Sequence, residues 1–210
     1  MIKYGLISET DARCIEKTID LICQDFKRGM VDFCEVGVYA GETGNGISQY
    51  LASKGRLSYY TGIDNSKDGE AIRFQPHWLI RGNSNEVYNQ LDDNSQHLII
   101  IDALHIFPAV VSDFFCYAPK VKKGGYLALH DTGKHIDPLS GWQGVGNKND
   151  PDMCLGGVRK ALQAIGLIDY PYWYGEFGQP ISKSFPGWEL IFDEADINDT
   201  GGGVCVFRKI

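Results

Sequence analysis

Strand and helix signals alternate along most of this sequence, and that alternation leaves few folds open. Residues 31–37, 57–64, 77–81, 98–101 and 126–130 read as short strands. Helical spacing comes between them and before the first. Ile15, Ile19, Ile22 and Phe26 share one face of a helix over 8–28, and Gly29 supplies its stop. Further helices are predicted over 47–54, ending at Gly55, and over 107–117, where Pro108 is tolerated in the first turn. Residues 68–74 and 85–91 are long enough for a helical turn each. Strands that each wait for a helix before the next must run parallel, joined by right-handed crossovers. The run 98–101 is the most apolar strand signal, as suits the centre of a sheet covered on both faces. Beyond it, 158–165 reads as a last helix, and 189–192 with 204–208 as a terminal antiparallel strand pair. The predicted fold class is therefore α/β, a doubly wound, mostly parallel Rossmann-like sheet of about seven strands.

Composition narrows the partners. A chain of 210 residues suits one domain over 1–210, and no linker, repeat or low-complexity tract divides it. The net charge of −7 and the lack of a Lys/Arg block argue against nucleic acid and anionic membranes. No apolar run approaches the roughly 20 residues of a bilayer span, and the N-terminus lacks a signal-peptide core, so a soluble, cytoplasmic protein is expected. The six cysteines contain no C-x-x-C pair and mostly sit among apolar neighbours, which reads as buried thiols.

Ligands of open parallel sheets bind outside the carboxyl ends of the strands. The residues at those ends are Glu35 and Gly37, Asp64, Asn83, Asp102, and His130 with Asp131. One strand-end Asp often caps a helix or turn. Recurrence at successive ends is harder to ascribe to capping. The first turn, residues 35–44, reads E-x-G-x-x-x-G instead of G-x-G-x-x-G, with Glu35 before it and Glu42 inside it. That charge repels a pyrophosphate but suits an ammonium and a sulfonium. Asp64 ends the next strand, where this fold class grips a ribose diol.

Taken in order, the segments 35–44, Thr61-Gly62-Ile63-Asp64, Arg81-Gly82-Asn83-Ser84, Ile101-Asp102-Ala103-Leu104-His105 and 124–131 resemble class I S-adenosylmethionine-dependent methyltransferases. Within them the pattern is most similar to small-molecule O-methyltransferases of the macrocin O-methyltransferase type, over 31–132. The resemblance implies that Glu35, Gly37 and Gly41 shape the methionine end of the pocket, that Asp64 holds the ribose, and that Asn83 and Ser84 lie beside the adenine. Asp102 is grouped with these cofactor-binding residues. It also implies a divalent cation such as Mg²⁺ near the acceptor, held by Asp102 and Asp131; His130, next to Asp131, is a candidate third ligand. Three positions depart from the family pattern: Ala103 for Gly, Phe107 for Tyr, and His130 for an acidic residue. The last exchanges an oxygen ligand for a nitrogen, which shifts preference toward transition metals or toward no metal.

Methyl transfer to a hydroxyl needs an in-line approach and a destination for the proton. His105, His130 and His135 are the candidate bases, with His105, His130 and Asp131 as the predicted catalytic set. His105 stands at the start of the helix after the central strand, and a helix N-terminus disfavours its charged form, so it is expected to be neutral near pH 7. Trp142 and the aromatics of 172–177 could close over a small-molecule acceptor or complete the core. Two other readings compete: an NAD-dependent oxidoreductase, which should show G-x-G-x-x-G, and a non-catalytic S-adenosylmethionine-binding module. A homo-oligomer is compatible with the sequence.

Overall fold

The computed structural model describes residues 2, 4–5, 7–66, 73–132, 157–168, 186–194 and 203–210. Its first helix, α1 (Glu9–Asp25), begins at a reciprocal cap: Ser8 Oγ accepts from the Asp11 amide at 3.1 Å and an Asp11 carboxylate oxygen accepts from the Ser8 amide at 3.3 Å. Cys14, Ile15, Ile19 and Ile22 then fall on one buried face. There follow β1 (Val31–Val36), α2 (Glu42–Ser53), β2 (Ser58–Asp64), β3 (Trp78–Arg81), α3 (Ser84–Val87), β4 (Gln96–Ile101), α4 (Phe107–Tyr117), β5 (Val121–His130), α5 (Gly157–Ile165), β6 (Trp188–Glu194) and β7 (Val204–Lys209).

The strands form one seven-stranded sheet in the order β3-β2-β1-β4-β5-β7-β6. All neighbours pair in parallel until β7, which runs antiparallel to both β5 and β6. The period of two along each strand sorts the core into two layers. Val31, Phe33, Leu98, Ile100, Tyr126, Ala128, Val204 and Val206 face α1 and α2. Cys34, Val36, Ile99, Ile101, Leu127, Leu129, Cys205 and Phe207 face the opposite way, toward α4 and α5. The central strand β4 is buried along its whole length, as its run of four aliphatic residues requires.

The predicted α/β class, the parallel order and the closing antiparallel pair are all present. Two boundaries differ. Helix α2 starts at Glu42, well before Ile47, because the glycines at 44 and 46 are packed into the helix and do not precede it. Strand β5 starts at Val121, not Tyr126: Gly124, at φ +79°, sits where the pairing with β4 slips register, so this glycine marks a bulge inside a strand. The readings at 68–72, His135, Trp142 and 172–177 lie outside the described residues. No helix among the described residues is long and apolar enough to cross a membrane.

Candidate active site

Strand order reverses between β1 and β4, so the crevice in which such sheets bind ligands opens between the turn after β1 and the end of β4. The two sides touch closely. Gly37 has φ +91°, and a Cβ there would lie 2.2 Å from the Asp102 carbonyl oxygen, so no side chain fits. Gly41, at φ +76°, is pressed in the same way against the Phe74 carbonyl. Asp64 fastens this turn to β2: its Oδ2 accepts from the amides of Val38 (2.9 Å) and Tyr39 (3.0 Å), and its Oδ1 from that of Ser66 (2.7 Å). Against the upward push of partial burial, these bonds hold its carboxyl below the ordinary value. Oδ2 is saturated and Oδ1 retains a lone pair for a ligand.

Glu35 behaves differently from the expectation. It is 1% exposed, accepts from the Tyr60 hydroxyl, and is pushed up to about 8 by burial against that bond's opposing effect. It is therefore neutral at pH 7 and does not supply the negative charge assigned to it. Gly44 makes the contact with Tyr60 fit, since a Cβ there would lie 2.2 Å from the phenol ring.

At the ends of β4 and β5 the structure brings together Asp102, His105, His130 and Asp131. Asp102 Oδ1 accepts from His105 Nε2 at 3.0 Å and from His130 Nδ1 at 3.1 Å. Asp131, held at φ +56°, places Oδ2 2.8 Å from His105 Nδ1 and Oδ1 3.3 Å from His130 Nδ1. Burial opposes charge on the imidazoles, but the carboxylates outweigh it: His105 rises to about 9 and His130 well above its ordinary value. Asp102 is correspondingly held down at about 2 despite its burial. The expectation of a neutral His105 is thus corrected, because two carboxylates within 3.0 Å overcome a helix terminus that begins only at Phe107. One donor atom from each of the four residues lies within 4.8 Å of the others. Two carboxylates and two imidazoles suit a divalent cation, and each imidazole would bind it in the neutral form.

The adenine-side candidates divide. Asn83 Oδ1 accepts from Asn65 at 3.1 Å, beside the end of β2. Ser84 turns its hydroxyl to Asp113 of α4 at 2.5 Å, so that group is already engaged. Two residues were missed from sequence. Arg159 grips Asp193 through both guanidinium nitrogens, at 3.0 and 2.8 Å, and donates to the Thr132 carbonyl at 2.9 Å, bracing the chain just after Asp131. Asp11 accepts from His130 Nε2 at 3.2 Å from the far side of the ring. The signal for Asp11 as a cap, Ser8 three residues earlier, was in the sequence. Its reach to His130 was not.

Residues 34–132 match the family model for a methyltransferase domain. This stretch, just under half of the chain, is similar to methyltransferase domains. The sheet that carries it is a Rossmann-like one shared with solved methyltransferases. Solved methyltransferases share the fold at low identity. A protein assigned as a caffeoyl-CoA O-methyltransferase from Staphylococcus aureus is 15% identical, with TM-score 0.60 over 99% of this chain and 86% of its own. The methyltransferase PaMTH1 from Podospora anserina, solved with S-adenosylhomocysteine, is 12% identical, with TM-score 0.60 over 98% and 80%. MycE, a methyltransferase of mycinamycin biosynthesis solved with magnesium and S-adenosylhomocysteine, is 18% identical, with TM-score 0.51 over 90% of this chain and 48% of its own. Comparison with curated proteins gives no match. The chain places its turn at 37–41 and its Asp102–Asp131 cluster on the same edge of the sheet, on either side of the switch point.

Proposed function

We propose that the methyltransferase domain moves a methyl group from S-adenosylmethionine to a hydroxyl of a small-molecule acceptor. The observation that carries this reading is the adjacency, at one crevice, of a glycine turn fastened by Asp64 and a cluster of two carboxylates and two imidazoles. Gly37 and Gly41 leave the turn bare for the methionine end, with Glu35 beneath as a neutral hydrogen-bonding wall. Asp64 offers its remaining Oδ1 lone pair to the ribose, and Asn83 borders the adenine with Ser84 behind it. The acceptor oxygen forms its bond to the methyl carbon as the carbon–sulfur bond breaks, the electron pair staying on sulfur. The hydroxyl proton passes to an imidazole, His105 being the more exposed of the two. An imidazole accepts a proton only when neutral, so the grip of Asp102 and Asp131 on it must first be relieved. Asp102, His130 and Asp131 would hold a divalent cation, whose chemistry here is to neutralise those carboxylates and polarise the acceptor hydroxyl.

Calorimetric titration with S-adenosylhomocysteine and NAD tests the donor. Binding of the former and not the latter is expected, with Asp64→Ala weaker by about ten- to a hundredfold, the loss of one charge-assisted bond and of the turn it organises. Tight NAD binding without S-adenosylhomocysteine binding would overturn the assignment. Turnover of a panel of hydroxylated acceptors separates an enzyme from a binding module.

A further inference from the structure

The His130 ring is gripped on both sides. On one, its Nδ1 meets Asp102 and Asp131 at 3.1 and 3.3 Å. On the other, its Nε2 meets Asp11 Oδ2 at 3.2 Å. Asp11 is itself fully buried and cannot swing: the Ser8 amide donates to Oδ2, and the Gly203 amide donates to Oδ1 at 3.1 Å. One carboxylate thus joins the start of α1, the residue before β7 and the ring at the end of β5. Nothing in the capping of α1 requires this reach, since the Ser8–Asp11 pair is already complete without His130.

From this geometry we infer that Asp11 is a positioning residue: it pins Nε2–H of His130 and so presents Nδ1 as a nitrogen ligand beside Asp102 and Asp131, selecting a first-row transition ion over magnesium. The inference rests on the cation reading given above and adds how the ligand is aimed and which ion that favours. An imidazole whose second nitrogen is held by a carboxylate has a fixed tautomer, a fixed ring plane and greater basicity at the ligating nitrogen. Magnesium prefers oxygen donors in a near-ideal octahedron, whereas imidazole suits cobalt, nickel, zinc and iron. His130 brings a nitrogen to a set that holds the carboxylates of Asp102 and Asp131.

The test is calorimetric titration of the purified chain with Co²⁺ and, separately, Mg²⁺, read as a ratio of affinities and needing no turnover. The wild type should bind Co²⁺ at least about tenfold more tightly than Mg²⁺. Asp11→Asn, which removes the carboxylate charge that holds Nε2–H, should weaken Co²⁺ by about ten- to a hundredfold and leave Mg²⁺ little changed. Ser8→Ala removes the same helix cap without touching His130, so it should lower the melting temperature and preserve the Co²⁺/Mg²⁺ ratio. The inference is overturned if Asp11→Asn leaves Co²⁺ binding intact, if it weakens both ions equally, or if Ser8→Ala reproduces its effect. A wild type that binds neither ion removes the cation reading together with this one, while S-adenosylhomocysteine titration reports on the donor site independently.

Discussion

Replacing Glu35 by Gln should make the domain less sensitive to alkali. Burial pushes the Glu35 carboxyl up to about 8, from 4.5 for the free side chain. Between those values the folded chain keeps a proton that the unfolded chain has released. Stability therefore falls as pH rises from about 4.5 and levels off above about 8. Over the two units from pH 6 to pH 8 the linkage relation gives a loss of about 2 kcal/mol from this one group. Gln preserves the shape and an acceptor for Tyr60 but has no proton to lose. His105 and His130, both raised, also contribute stability that is present at low pH and fades as pH climbs through their folded values. Both proteins carry them, so the difference between wild type and variant isolates Glu35. The assay is urea denaturation of the ligand-free chain in chelator at pH 6 and pH 8. Wild type should lose about 2 kcal/mol more than Glu35→Gln across that interval. Equal losses in the two proteins would refute the argument, and with it the picture of a neutral Glu35.

Gly37→Ala should cost roughly 3 kcal/mol or more, because its Cβ meets the Asp102 carbonyl at 2.2 Å and its φ of +91° is strained for alanine; a melting temperature equal to wild type would count against that packing. His105→Ala should lower turnover by about 10² to 10⁴ while S-adenosylhomocysteine affinity stays nearly constant. Unchanged turnover per folded molecule would leave His105 a structural partner of Asp102 and Asp131.

The sheet was legible because its central strands are buried on both faces and end on polar residues, a pattern that survives without knowledge of any partner. The prediction for α4 coincides with the observed Phe107–Tyr117, since an apolar spacing and an early proline fix it locally. Helix α2 began earlier than predicted because Gly44 and Gly46 look like a turn, and only the ring of Tyr60 explains why the helix needs so small a residue at 44. The charge states were the least legible part of the site. Glu35 is neutralised by burial alongside a residue of the next strand, and His105 is charged by carboxylates from two strands. Of these partners only Asp102, three residues before His105, is local in sequence, whereas Asp131 and Tyr60 are not. Asp11 shows the same limit: its local role as a cap is readable, and its distant one is not.

The bond between Asp11 and the Gly203 amide spans 192 positions of the chain. A nascent polypeptide that has emerged only through β5 already contains every group that fastens Asp64 to the turn after β1, all of them between 38 and 66. It cannot yet close the bond to Gly203, and the free edge of β5 still waits for β7. The Asp64 side of the crevice therefore has all its fastening groups early in synthesis, whereas the bond that holds Asp11 beside His130 needs residue 203.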